Sequence, residues 1–419
     1  MDYASSLAYL YSLQFFGIKL GLENTRQLLD RVGNPQQFLK VVHIAGTNGK
    51  GSTAAALEEL LRAHGWRTGL YTSPHLQEFN ERIRIDNQPV TDAEIVRKIE
   101  LLRAVVGDLP VTFFEFTTVL ALLLFVAHRV QIVVLETGLG GRFDATNLVE
   151  PILCIITPIA LDHSAQLGTC LAQMAFEKGG IIKPAVPLIC ALQPPEAQKV
   201  LKDICARLAA PLWQAGVDFS WTMPPQNFSY RGFTLELDAL ESGLLGAFQR
   251  ENLSLALAAT EKILPPDILD PRLVRRAIAE VRWPGRLEWC GDILLDGAHN
   301  PHAAQALANY LQSSALDDLL WVVAVKADKD VAALMAPILP WVQRVLATCL
   351  PEETSHPPTR LVQLAQQAKV AAELCASPAA ALQRALALAQ PGQKILVAGS
   401  LFLVAAIRPL CVHNAGAVA

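Results

Sequence analysis

A chain of 419 residues is too long for one ordinary hydrophobic core and predicts two or three domains. Hydrophobic residues make up 52% and charged residues 18%, so large cores can form; the net charge of −4 is spread along the chain, and the absence of a basic run excludes a nucleic-acid partner. The longest apolar run, "FTTVLALLLFVAH" at 116–128, is shorter than the roughly 20 residues that span a bilayer and stops at Arg129 and Gln131, which predicts a buried helix and no membrane partner.

The N-terminal "MDYASSLAYLYSLQFF" has neither a basic start nor a continuous apolar core, so no cleaved signal is expected. The eight cysteines contain no CxxC pair and suit the reduced thiols of a cytoplasmic protein. In chain order, "FLKVVHIAG" predicts a strand leading to a helix from about Thr53 to His64, and "RTGLYTS" follows. Residues 91–106 open with Thr91 and Glu94 at capping-box spacing and continue with helical periodicity. The Val- and Ile-rich "IVVLETG", "ILCIITPIA" and "PLICAL" read as buried parallel strands. Residues 212–247 alternate between turns and predict a small antiparallel insert, and "VRWPGRLEWCGD" at 281–292 reads as an interdomain linker. After it "DILLDGAH", "LLWVVAVKAD", "RVLATCL" and "KILVAGS" alternate with helices again. The fold class is α/β: a parallel-sheet domain with a P-loop-type turn, then a smaller Rossmann-like domain, with ligands beyond the carboxyl ends of the strands.

The stretch "VVHIAGTNGKGST" (41–53) carries the clearest chemistry. It departs from the ordinary P-loop, because Gly51 separates Lys50 from Ser52 and the first glycine position falls on Ile44. A strand running into glycines and then a helix still aims backbone N–H groups at an anion. Lys50 would add a mobile charge for β- and γ-phosphates, and the Ser52 or Thr53 hydroxyl can reach a metal; a glycine-rich turn with no ligand is the alternative. Glu136, closing "IVVLE", needs a cation once buried: Mg²⁺, or else Arg142 or a helix cap. His163 is a metal ligand or a satisfied structural histidine, and imidazole is an uncommon choice for Mg²⁺. Asp162 beside it orients the ring or takes the role itself. Lys178, in "AFEKGGIIK", is by default a surface lysine. Asp296, His299 and Asn300 would hold a ribose or phosphate, or would simply cap the following helix.

Together these motifs resemble the folylpolyglutamate synthase/dihydrofolate synthase family within the Mur ligase superfamily. The matches run nearly end to end: "HIAGTNGKGST", "TSPHLQEFNERIRI", "TFFEFTT", "VVLETGLGGRFDATN", "ITPIALDH", "EKGGIIK", "WPGRLE", "LLDGAHNP", "DKD" and "GSLFLV". In that family the additional glycine after the lysine is normal. The resemblance implies an ATP-binding domain over 1–288, a C-terminal glutamate-ligase domain over 289–419, and ATP-dependent joining of L-glutamate to dihydropteroate or reduced folates through an acyl phosphate. It implies ATP contacts from Thr47, Asn48, Gly49, Lys50, Gly51, Ser52, Asn252, Arg286, Asp296 and His299. Magnesium, at two sites in the family's pattern, would be held by Ser52, Glu136 and His163, with a carbamylated Lys178 serving the second. Lys50, Lys178 and His163 are the implied catalytic residues. Thr112, Phe113, Phe114, Glu115 and Asp144 would form the pterin side, with "SPHLQEFNERI" as a mobile loop beside it. The expected partners are these small molecules alone, acting on a cytoplasmic monomer. A muropeptide ligase and a non-catalytic ATP-binding switch are the rival readings. Three departures from the family's usual pattern stand out: Gly179 for Ala, no glycine shortly before Asp328, and Phe402 for Tyr.

Overall fold

A computed structural model describes residues 2–13, 21–222, 227–351 and 353–415. The chain divides into two compact units, one comprising Met1–Ala160, Leu167–Gly243 and Arg250–Val281, the other Leu161–Gln166, Leu244–Gln249 and Arg282–Ala419.

The first unit is built on an eight-stranded sheet. Its strands are β1 (Val41–Ala45), β2 (Thr68–Tyr71), β3 (Ile83–Ile85), β4 (Gln88–Pro89), β5 (Ile132–Glu136), β6 (Leu153–Ile156), β7 (Leu188–Cys190) and β8 (Leu212–Gln214), in the order β4-β3-β2-β5-β1-β6-β7-β8. From β2 to β8 the neighbours are parallel; β3 and β4 form an antiparallel edge. Every residue of β1, β5 and β6 is buried, which accounts for their continuous Val/Ile/Leu composition. The apolar run expected to be a buried helix is one, Phe113–Ala127, packed in a core cluster of this unit. The helix Asp92–Val106 opens with the expected capping box of Thr91 and Glu94. A three-stranded antiparallel sheet follows: β9 (Ser220–Thr222), β10 (Phe228–Arg231) and β11 (Glu236–Leu240).

Three expectations need correction. The antiparallel insert is narrower than 212–247, because Leu212–Gln214 pairs in parallel with β7 as the last strand of the large sheet; residues 223–226 of the insert lie outside the described residues. The helix after β1 starts at Lys50, not Thr53, because Lys50, Gly51 and Ser52 already form its first turn. The expected linker 281–292 contains β12 (Glu288–Cys290), which pairs antiparallel with β13 (Ile293–Asp296). Its Trp-Pro-Gly composition hid a short edge strand.

The second unit holds these two with β14 (Leu319–Val323), β15 (Val342–Ala347), β16 (Ala371–Leu374) and β17 (Ile395–Ala398) in the order β12-β13-β17-β14-β15-β16, parallel from β13 onward. Its core gathers Trp321, Val323, Leu334, Ile338 and Leu396. Among the described residues, no helix is long and apolar enough to cross a membrane.

Candidate active site

In the first unit the chain leaves β1 through Gly46 and turns at Gly49, whose φ is +88°. A Cβ at Gly49 would lie 2.2 Å from the Asn252 side-chain oxygen, so both the left-handed backbone and the close approach require glycine. The helix Lys50–Ala63 begins at the next residue with no side-chain cap. Its first-turn N–H groups therefore present the positive end of the helix to whatever lies before the turn. Thr47 fastens the turn to the segment after β6: its N–H donates to Pro158 O at 3.0 Å and its hydroxyl to Ala160 O at 2.9 Å.

Two lysines converge on this turn. Lys50 Nζ donates to the carbonyls of Gly46 at 3.2 Å and Thr47 at 3.3 Å and lies 4.0 Å from Glu136 Oε1. Lys178, from the far end of the helix Leu171–Gly179, donates to the same Gly46 carbonyl at 2.9 Å. It is 5% exposed, so the bland reading of a surface lysine is wrong. The uncapped helix start and the Lys50 amine beside it suit the turn to an anion, and Lys178 reaches the same carbonyl. Glu136 ends β5 and is buried; its other oxygen accepts the Ser73 N–H at 3.1 Å. Arg142, considered as its partner, is instead bound to Glu177. Ser52 is also buried, in the first turn of the same helix.

The pterin-side candidates cap and pack within this unit. Thr112 and Glu115 form a reciprocal capping box, and Glu115 also accepts the Thr25 hydroxyl at 3.2 Å. The Phe113 ring stacks on Tyr11 at 5.8 Å and lies under the Arg82 guanidinium at 5.1 Å. Phe114 sits 6.0 Å from Tyr71. Arg82 donates to His75 Nδ1 at 2.7 Å, and burial pushes the His75 imidazolium down to about 4, which keeps that acceptor nitrogen bare. The loop expected to be mobile contains the short helix Phe79–Arg82, and Glu81 accepts the N–H groups of Leu76, Gln77 and Glu78. Asp144 accepts four bonds from its own loop: Gly138 N and Leu139 N on one oxygen, Thr146 N and Thr146 Oγ1 on the other. Burial raises its carboxyl above the ordinary range while these donors oppose the shift. The Thr146 hydroxyl, committed as donor to Asp144, in turn accepts His43 Nε2–H at 2.8 Å. Asp144 thus organises the loop from within.

In the second unit, Asp162 is the centre of a charged cluster. Its carboxylate accepts Lys329 Nζ at 2.5 Å, Asn300 Nδ2 at 3.0 Å and the His163 N–H at 2.8 Å, with His299 Nε2 at 3.5 Å. Burial opposes the charge, but His299, His163 and Lys329 outweigh it and hold the carboxyl far below its usual range. Burial lowers His163 to about 4, so the ring is neutral, and its Nε2 lies 3.4 Å from Lys329 Nζ. Asn300 caps the helix Pro301–Ser313 by accepting Ala303 N, as the bland reading held, while its amide reaches Asp162. Asp296 accepts the N–H groups of Leu287 and Ala298, and burial raises its carboxyl; Arg286 lies against Gly297.

The first unit therefore brings together Thr47, Asn48, Gly49, Lys50, Gly51, Ser52, Asn252, Glu136 and Lys178. The second gathers Asp162, His163, Asp296, His299 and Arg286. Sequence reasoning missed Ser73, whose N–H meets Glu136, and Lys329, which lay unremarked inside "DKD". Among the described residues no group of three His, Cys, Asp or Glu gathers as for a self-contained metal site. The buried Glu136 carboxylate is the kind of group through which Mg²⁺ is commonly held, with one or two carboxylates, phosphates and water around the ion.

Residues 285–401 match the model of the Mur ligase, glutamate ligase domain. The chain is 33% identical over 426 residues to a folylpolyglutamate synthase of Lacticaseibacillus casei, covering 97% of this chain and 98% of that protein. It is 36% identical over 338 residues to a dihydrofolate synthase/folylpolyglutamate synthase of Bacillus subtilis (strain 168), covering 77% and 79%. A structure of Mycobacterium tuberculosis folylpolyglutamate synthase complexed with ADP and AMPPCP superposes with a TM-score of 0.89 at 31% identity, covering 98% of this chain and 99% of that one. E. coli FolC in complex with DHPP and ADP gives 0.89 at 30% identity, covering 99% and 98%.

Proposed function

The chain belongs to the folylpolyglutamate synthase/dihydrofolate synthase family, and on that premise we propose that it is an ATP-dependent ligase joining L-glutamate to dihydropteroate, to reduced folates, or to both. The observation that carries the reading is the convergence of Lys50 and Lys178 on the Gly46 carbonyl beside an uncapped helix start and the buried Glu136. A triphosphate is the anion that such a turn, leading into an uncapped helix start, is suited to receive. Structures of relatives hold ADP and AMPPCP, or AMPPNP with a Mn ion, which supports ATP as co-substrate.

A carboxylate does not acylate an amine, because its oxygen is a poor leaving group. In the proposed reaction an acceptor carboxylate oxygen attacks the γ-phosphorus of ATP, and the bond to the β–γ bridging oxygen breaks to release ADP. The glutamate amine then attacks the acyl phosphate carbonyl; inorganic phosphate leaves and the amine loses a proton. Gly49, Lys50, Gly51 and Ser52 hold the phosphates, and Lys50 follows the charge as it moves to the leaving oxygen. Thr47 and Asn48 shape the turn, Asn252 covers Gly49, and Arg286, Asp296 and His299 supply the second unit's nucleotide contacts. Ser52, Glu136 and His163 would hold magnesium, which when bound offsets the charge gathering between the phosphates. Lys178 would act as a carbamate: its neutral amine adds to CO₂, forming an N–C bond and releasing a proton, and the resulting anion serves a second magnesium ion. Phe113 and Phe114 supply aromatic surface for a flat heterocycle, within a frame set by Thr112, Glu115 and Asp144. The eight free cysteines support placing the reaction in the reducing cytoplasm.

Glutamate-dependent release of ADP and phosphate should appear with dihydropteroate, tetrahydrofolate or both, offered separately, and the product should gain one glutamyl mass. No turnover with either acceptor, together with turnover on a UDP-muramyl substrate, would replace this reading by a muropeptide ligase.

A further inference from the structure

The motif "GGRFDATN" is only partly used by the reading above, since Arg142 and Asn147 have no part in it. Both grip one short segment, 177–180, which carries Lys178. Arg142 makes a two-pronged bond to Glu177, Nη2 to Oε1 at 2.5 Å and Nε to Oε2 at 3.2 Å. Its own backbone N–H donates to the Glu177 carbonyl at 2.8 Å. Its guanidinium also lies over Phe143 at 4.2 Å and Phe176 at 4.9 Å, so it has two ring contacts besides the bonds at its edge. The Asn147 amide donates to Arg142 O and to Gly180 O, each at 3.0 Å, bridging the two segments directly. The backbones touch: a Cβ at Gly180 would stand 2.3 Å from Arg142 Cβ, and one at Gly141 would stand 2.8 Å from the Lys178 carbonyl oxygen. Within that frame Lys178 is 5% exposed and reaches the Gly46 carbonyl.

We propose that Arg142 is a positioning residue for Lys178: the Arg142–Glu177 fork, braced by Asn147, fixes the last helical turn so that the lysine side chain is delivered to the Gly46 turn. A lysine stem has four rotatable bonds, and its tip is placed only as well as the backbone that bears it. A partly exposed ion pair adds little stability by itself. A planar fork in contact with two rings and beside two glycine contacts instead fixes direction, which is what a reacting group needs. The kinetic part of this proposal rests on the ligase reading; the geometric part does not.

The test uses the full-length chain and has two arms. In the first, Arg142→Met should lower kcat by about 10- to 100-fold, the scale of a misplacement near 1 Å, with the KM for ATP within about twofold. In a Lys178→Ala background the same substitution should cost nothing further, because a residue acting only through Lys178 has nothing left to place. In the second arm, brief acetylation with an N-hydroxysuccinimide ester followed by peptide mass spectrometry should show Lys178 labelled faster in Arg142→Met than in the parent, with Lys183 as internal reference. Arg142→Lys keeps the charge and loses the fork; it should fall between the two and serves if the Met variant does not fold. Losses that multiply in the double variant, together with unchanged Lys178 labelling, would overturn the proposal, as would parental behaviour of Arg142→Lys in both arms. If the parent turns over neither folate-type acceptor, the ligase reading fails, and the labelling arm still decides the clamp.

Discussion

Asp144→Asn separates two roles that one carboxylate can play. The resemblance puts Asp144 on the substrate side, whereas the structure spends both of its oxygens on Gly138, Leu139 and Thr146. Asparagine has nearly the same shape but only one acceptor oxygen. Whichever way the amide turns, its NH₂ faces two donors. If it faces Gly138 and Leu139, both half-buried N–H groups lose their partner. If it faces Thr146, the hydroxyl can reverse to accept from it while its second lone pair still accepts His43 Nε2–H, but the buried Thr146 N is stranded. One stranded buried donor costs about 1–3 kcal/mol, and two half-buried ones about as much together, so the expected loss is about 1–3 kcal/mol. For a unit of this size about 2 °C of midpoint accompanies each kcal/mol, so the first unit should melt roughly 2–6 °C earlier. Differential scanning calorimetry of parent and variant, with the KM for the pteroate acceptor measured below both transitions, distinguishes the roles. A variant with the parental melting curve and a KM raised tenfold would refute the structural reasoning and return Asp144 to direct substrate contact.

Other consequences follow from single residues. Lys50→Ala should raise the KM for ATP and lower kcat together, checked by steady-state kinetics, because in the proposed reaction the same side chain meets bound and departing phosphate. Lys178→Ala should leave nucleotide affinity within about threefold, slow ligation more than about 100-fold, and recover part of the rate with added short-chain carboxylates; parental rates would remove the carbamate from the mechanism. His43 is fully buried and its pKa is lowered to about 3 by burial, with Lys183 adding to it. The unfolded chain takes up a proton below about 6.5 and the folded one does not, so stability is full above that pH and declines beneath it, by about 2 kcal/mol at pH 5 from this residue. Urea unfolding of His43→Gln between pH 7 and pH 5 should show a shallower pH slope than the parent. Gly179→Ala should change stability by less than about 1 kcal/mol in the same urea assay: the new methyl would stand 2.6 Å from Ile204 Cδ1, the movable end of a side chain, and alanine is the better helix former.

The parts of the fold that were legible in the sequence are those governed by local periodicity. Val41–Ala45, Ile132–Glu136 and Leu153–Ile156 read as buried parallel strands because both faces are covered, and Thr91 with Glu94 marked a helix start by two bonds between near neighbours. Leu212–Gln214 and Glu288–Cys290 were missed because they are three-residue edge strands whose identity depends on a partner strand, not on their own pattern. At the site, the turn 46–53 was legible because its chemistry is contiguous. Lys329 was not, because its partner Asp162 stands 167 positions away and nothing in "DKD" points to it.

The same distinction explains why glycine and arginine in "GGRFDATN" were harder to read than lysine in "GTNGKGST". A phosphate-binding turn is made by consecutive residues and carries its own signature. A positioning device is made by two segments that each look ordinary: a glycine pair here, a Glu-Lys-Gly-Gly there. Only their contact, with the Arg142 N–H on the Glu177 carbonyl and Asn147 across both, gives the residues a purpose. A lysine buried 132 positions from the carbonyl it reaches must be aimed by something rigid. In this chain the rigid parts near it are that fork and those two close backbone approaches, so a weakened fork should cost turnover before it costs nucleotide binding.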